Sequence, residues 1–352
     1  MAPPTIARPK PYYHEVKAGQ RYLWCSCGRS ASQPFCDGSH AGTEYLPVLF
    51  KAKQNEDVLF CGCKQTGAAP FCDGAHNNLD GGYAYDDPNS EANLAIPSAV
   101  VGEGPVRQLD GTCFVFTPSR ATLIERGALR YCPAISPSLG ALFQSQFYAE
   151  IPTGEASPVI AADGRHTVLF FFQGEAEVEI GDRRFTVQRC TGVYIRPDEA
   201  FRVHASGGEA ARLFISNGPG SEDLAFLDHM PATFASEHPN RLADIDPSQR
   251  NGMGERFYQM LINREHGSDR VTQFIGNIPL SKGEPHRHLY EEALIFLEGE
   301  GVVWTETVKA EIQAGDVLFL PRKQIHSVEC TSARGLDVVG VIYPGDNPSI
   351  NY

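Results

Sequence analysis

At 352 residues, 42% hydrophobic and 21% charged, the chain is long enough for two or three folded units, each with its own core. A formal net charge of −13 argues against a nucleic-acid or anionic-membrane surface, either of which needs basic patches to neutralise phosphates. No apolar run approaches the roughly 20 residues of a membrane span, and the opening "MAPPTIARPKPYYHEVKAG" lacks a signal-length apolar stretch, so a cytoplasmic location is expected.

The first predicted elements are two near-copies of one motif, "CSCGRSASQPFCDGSH" from Cys25 and "CGCKQTGAAPFCDGAH" from Cys61. One interval separates Cys25 from Cys61, Cys27 from Cys63, Cys36 from Cys72 and His40 from His76, which marks an internal duplication. Two cysteines one residue apart put both thiolates on one side of an extended backbone, where they can hold one iron together. The third cysteine and the histidine fall near the start of a predicted helix, with Asp37 or Asp73 as its cap and Gly38 or Gly74 allowing a tight turn. The pattern suits one [2Fe–2S] cluster on Cys25, Cys27, Cys36 and His40 and a second on Cys61, Cys63, Cys72 and His76. Structural zinc also accepts three cysteines and one histidine, but its first two cysteines are more often separated by two or more residues. The remaining cysteines of the ten, Cys113, Cys132, Cys190 and Cys330, are scattered and read as buried thiols.

Residues 10–78, including Trp24, Gln33, Pro34 and Phe35 beside the ligands, resemble the CDGSH iron–sulfur family, specifically its members with two motifs in one chain. That resemblance implies two redox-active [2Fe–2S] clusters and a pseudo-symmetric fold in which the copies pair within one chain. Ala75 stands where the first copy has Ser39, which leaves the ligands untouched. A neutral imidazole in place of a thiolate removes negative charge and eases reduction. Electron transfer or redox sensing is the expected role.

A Gly- and Asn-rich stretch then reads as a linker, and from about Val101 the chain becomes a series of short β-branched and aromatic runs broken by Gly, Pro and Asp. Examples are "TCFVFTP", "HTVLFFFQGEAEVEIGDRRFTV", "EEALIFLEGEGVVWTE" and "LDVVGVIYP". Such a series predicts sandwiches or barrels, and residues 221–261, with short helical patterns broken by Pro and Gly, read as a connector between two of them. The expected organisation is a tandem cluster domain over 1–82, a linker over 83–100, a first barrel over 101–222 and a second over 223–352.

In "KGEPHRHLYEEALIFLEGEG", His286 and His288 are two apart and share a strand face, Glu292 keeps their parity, and His326 arrives from a later strand. Three imidazoles and a carboxylate make a site for a divalent transition metal: iron, manganese, nickel, copper or zinc. The spacing resembles the two cupin motifs, the first matched by His286, His288, Glu292 and Gly299, the second by Gly315, Pro321 and His326. The resemblance implies a mainly β fold of two cupin barrels, double-stranded β-helices of jelly-roll form, behind the small cluster domain. Lys323 departs from a usual glycine and Cys330 from a common asparagine, and neither removes a ligand. In the first barrel the corresponding positions are Ala161, Asp163, Thr167 and Arg202, with His166 and His204 out of register, so that barrel is expected to hold no metal.

The stretch from Phe114 to Glu155 together with "LEGEGVVW" and "QAGDVLFLP" is also similar to the ureidoglycine aminohydrolase group of two-cupin chains. That group holds its metal with a Glu, two His and a Gln; here His286 stands at the Glu, Glu292 at a His, and His326 in the region of the Gln, so the architecture is implied but not the reaction. The leading expectation is a non-haem Fe(II) oxygenase acting on a small organic substrate and O2, with the clusters as internal electron donors. Glu292 is its fourth ligand or general base, and Trp304, Phe296 and Gln273 are substrate contacts or ordinary core. A Mn(II) hydrolase and a non-enzymatic redox or iron sensor are the alternatives. An external reductase and a homodimer are expected partners.

Overall fold

A computed structural model of the chain describes residues 3–345 and 347–352, and it is mainly β. In the N-terminal unit Tyr12–Val16 pairs with Glu56–Phe60, and Arg21–Trp24 pairs with Val48–Lys51. Strands of the first copy thus lie against strands of the second, and both bury their aromatic face in one core of Tyr22, Trp24 and Phe60, flanked by Phe35, Phe50 and Phe71. The Trp24 indole N–H donates to the Cys61 carbonyl at 3.0 Å, tying one copy to the ligand loop of the other.

Each barrel has a large and a small sheet. In the first, His166–Gln173 lies between Gly192–Ile195 and Ala211–Gly218. In the second, Glu291–Glu298 lies between Val317–Leu320 and Leu336–Tyr343 in the equivalent way. The unbroken apolar run of "HTVLFFF" follows from burial on both faces. Leu169 and Phe171 point into the first barrel, whose interior Val178, Phe201 and Val203 fill. Val168 and Phe170 point the other way, into a layer with Ile275, Ala293 and Val339 of the second barrel. Glu291 fastens this layer by accepting the backbone N–H groups of Leu142, Phe143 and Gln144 at 2.7–3.1 Å.

The domain limits expected from sequence are redrawn by strand pairing. Tyr85–Asp86, inside the expected linker, pairs with Lys282–Gly283, and Val106–Gln108 and Phe114–Phe116, expected in the first barrel, extend the large sheet of the second through Val317–Leu320. Conversely Ala225–Leu227 and Leu242–Ala243 pair with strands of the first barrel. A buried aromatic run announces a strand but not which sheet takes it up. The helical patterns of the connector are not realised: between Ala225 and Ile262 the sole helical element among the described residues is the 3-10 turn Pro247–Gln249.

The cluster unit docks on the second barrel. Lys10 pairs with Glu284 at 2.5 Å and Lys323 with Asp57 at 2.7 Å, while Leu59, Cys72 and Ile350 bury one another with Leu289 and Tyr352 alongside.

Candidate metal centres

His286 and His326 face each other across an antiparallel bridge, each donating its backbone N–H to the other's carbonyl at 3.0 Å. This pairing and the two-residue step to His288 bring the three rings to centroid separations of 4.5–5.3 Å. Among the described residues these three histidines are the one set of three or more His, Cys, Asp or Glu whose donor atoms all lie within 4.8 Å of one another. His286 Nδ1 lies 3.0 Å from the Glu284 carbonyl and His326 Nδ1 3.0 Å from that of Gln324. A carbonyl can only accept, so each Nδ1 carries the proton and each Nε2 keeps its lone pair for an ion. Burial lowers all three imidazoles, His286 to about 4 and His326 to about 3, and their mutual repulsion reinforces it for His288 and His326. Neutral imidazoles in register are what a divalent ion requires.

Glu292 lines the same cavity, which has a volume of about 90 Å³, but stands outside the tight histidine set, a carboxylate oxygen 3.6 Å from His288 Nδ1. Burial raises its carboxyl to about 8. Of the expected substrate contacts, Phe296 is in the barrel core, whereas Gln273 and Trp304 face away from the cavity. Phe274 lines the cavity, so by alternation Gln273 lies on the opposite face, where it donates weakly to the Leu169 carbonyl of the first barrel at 3.4 Å. Trp304 lies under the ammonium groups of Lys282 and Lys309 and donates to Glu329 at 2.9 Å.

Two cavity residues had no motif to announce them. Arg256 is 6% exposed, donates from one terminal nitrogen to the Val328 carbonyl at 3.0 Å, and leaves its buried Nε without a partner; no carboxylate pairs with it among the described residues. Asn351, from the last residues of the chain, forms another part of the wall.

In the repeats the donors come two and two. Cys25 and Cys27 Sγ are 3.6 Å apart and Cys61 and Cys63 3.5 Å, while His40 Nδ1 is 3.1 Å from Cys36 Sγ and His76 Nδ1 3.3 Å from Cys72 Sγ. Ligands of one tetrahedral zinc would all lie about 3.8 Å from one another, given Zn–S bonds of about 2.3 Å. Each donor set is two close pairs, which fits a two-iron unit with one pair at each end. Backbone N–H groups of Arg29, Gly38 and Lys64 point at Cys27, Cys36 and Cys61 sulfur at 3.2–3.4 Å, as suits thiolate ligands. The expected helix after the third cysteine is a run of bends and turns in the first copy and the 3-10 turn Ala75–Asn78 in the second, whose N-cap is Gly74; the two aspartates instead close local turns, accepting the N–H of Ser39 at 3.0 Å and of Ala75 at 3.1 Å.

Among the described residues the first barrel gathers no such set of donors. Thr167 bonds Asn217, His166 Nδ1 meets the Tyr194 hydroxyl at 2.6 Å, and His204 and Arg202 both turn to Glu179.

Comparison with known proteins agrees with this geometry. The family model of the iron-binding zinc finger of CDGSH type matches residues 6–41 and that of the cupin domain residues 279–341. The chain carries a CDGSH segment ahead of a cupin. The CDGSH segment implies a [2Fe–2S] cluster, and the match ends at the first copy, ahead of the second repeat. Over 55 residues, 15% of this chain, it is 49% identical to the mouse mitochondrial CDGSH iron-sulfur domain-containing protein 3, covering 40% of that protein. The chain is also 31% identical over 103 residues, 28% of its length, to the dimethylsulfoniopropionate lyase DddW of Ruegeria pomeroyi, covering 64% of it. The chain therefore spans less than two thirds of each of these relatives. The fold of the cupin pair is similar to that of oxalate decarboxylase from Lactobacillus farciminis (TM-score 0.53, 12% identity, 72% of this chain and 89% of that one). It is similar too to that of the E. coli protein Ylba (TM-score 0.52, 15% identity, 73% and 99%). No helix among the described residues is long and apolar enough to cross a membrane.

Proposed function

We propose that the chain is a metal-dependent cupin oxygenase that acts on a small carboxylate, with Fe(II) held by His286, His288 and His326 and electrons drawn from its own clusters. The observation that carries the reading is a buried guanidinium without a counter-ion in the same small cavity as three neutral histidines. A buried charge left unpaired is costly, and an anionic substrate supplies the missing partner. Two comparison proteins are named for carboxylates, oxalate and dimethylsulfoniopropionate, which supports that substrate class. A loaded Fe(II) offers open positions for O2 and substrate, and the clusters supply electrons one at a time.

The residues divide the remaining work. Arg256 binds and orients the carboxylate; Phe257, Phe274, Leu294 and Val338 exclude water around it. Glu292 beside His288 holds or accepts a proton at its carboxyl oxygen. The likeness to DddW favours a second reading, in which the same pocket performs a redox-neutral cleavage and the clusters only regulate.

The experiment is to purify the protein anaerobically and assay small carboxylic acids for O2 uptake with and without dithionite-reduced clusters. Substrate-dependent O2 uptake that requires cluster reduction supports the oxygenase. Turnover that proceeds without O2 and with oxidised clusters overturns it in favour of the cleavage reading.

A further inference from the structure

We propose that Asn351 joins the second cluster to the barrel ion site and forms the route by which electrons pass between them within one chain; this rests on the electron-donor reading above. His76 is 1% exposed, and with its Nδ1 turned to Cys72 its outward nitrogen is Nε2, 3.4 Å from Asn351 Oδ1. An imidazole that gives Nδ1 to iron carries its proton on Nε2, so His76 donates and Asn351 accepts. Asn351 is itself buried and lines the cavity that His286, His288 and His326 share. One side chain therefore spans from a cluster ligand to the wall of the metal site.

The contact is built from both sides. Asn77 Nδ2 donates to the Ser349 carbonyl at 2.6 Å and Asn347 Nδ2 to that of Asp73 at 3.1 Å, fixing residues 347–351 to the second repeat. The Tyr290 and Tyr258 hydroxyls hold the same segment to the barrel, at Pro348 and Asn347. Gly74, at φ +88°, admits the approach: a Cβ there would lie 2.0 Å from Ser349 Oγ. In the first repeat, by contrast, His40 is half-buried, so the two clusters are inequivalent and the second is the proximal donor.

The transfer is a single-electron exchange. The reduced second cluster is oxidised by one electron and the barrel ion is reduced by one; His76 keeps its proton and no bond is made or broken. An external one-electron donor of the reduced-flavin class restores the cluster.

The test uses the full chain with both clusters and a ferric ion in the barrel, without substrate or O2. A deazaflavin flash reduces the clusters, and their reoxidation by the barrel ion is followed in the visible. The expected result is a fast reoxidation phase, absent when His286→Ala empties the barrel, slowed at least tenfold in Asn351→Ala, and retained when Cys27→Ser removes the first cluster. Should Asn351→Ala fail to hold its second cluster, Asn351→Thr carries the same expectation. No fast phase in the unaltered protein overturns the donor reading itself, whereas a fast phase unchanged by substitution at Asn351 overturns the route alone.

Discussion

A guanidinium that is nearly buried, holds one carbonyl and leaves Nε unpaired is arranged for an anion that arrives from outside the chain. Arg256→Met is expected to remove about 2 kcal/mol of that binding, which steady-state assays with a carboxylate substrate read as a roughly thirtyfold rise in KM with kcat little changed. The histidine cluster was legible in the sequence because a short strand step fixes His286 relative to His288 and a recurring spacing fixes His326. Arg256 and Asn351 were not, since nothing local distinguishes them and only tertiary packing brings them to the cavity. For Gln273 the sequence left contact and core both open, because one step of strand register moves a side chain to the other face of the sheet, and its burial places it in the core. Two lysines show what a departure from pattern can do. Lys323 stands where a cupin usually has glycine, adopts φ +66°, and uses its ammonium to grip Asp57 and the Tyr13 hydroxyl of the cluster unit. Lys64, in the second repeat at the position of Gly28 in the first, adopts φ +65° and donates to the Cys61 carbonyl from beneath Trp24. A left-handed lysine costs about 1–2 kcal/mol, and here each gains a buried or interfacial cation in exchange.

At the level of elements, the strands were legible but their allocation was not. The run "CFVF" reads as a buried strand in either barrel; it joins the second because its partner edge, Val317–Leu320, is open there. The exchange of strands across the expected boundaries interlocks the two barrels. The return segment to the first barrel is pinned by Arg241, fully buried, which pairs through two nitrogens with Glu199 at 2.5 and 2.7 Å. Burial raises the Glu199 carboxyl, but Arg241 and the N–H groups of Ala235 and Arg196 outweigh it and hold it below its ordinary value. A depressed carboxyl contributes stability above its unfolded pKa of about 4.3 and loses it as pH falls through the folded value. Thermal unfolding followed by circular dichroism should therefore show this pair's full contribution, constant between pH 7 and 5, and its loss below about pH 4. Glu199→Gln should flatten that acid-side loss and lower stability at pH 7 by roughly 3–5 kcal/mol, because it strands a buried guanidinium.

Across the whole molecule, the cluster unit is seated on the face of the second barrel that opens toward its histidines, and the end of the chain is laid between them. Ion pairs at Lys10 and Lys323 fix the orientation, and Leu59, Cys72 and Ile350 pack together at the junction. The interior of the first barrel is filled by Phe147, Phe171 and Phe201. On the proposed reading, two kinds of inorganic centre lie within magnetic reach of each other in one chain. Electron paramagnetic resonance of the dithionite-reduced protein tests it most directly, with the barrel loaded either with Mn(II) or with Zn(II). Broadening and faster relaxation of one cluster signal in the Mn(II) form is the expected result; cluster signals identical in the two forms would contradict it.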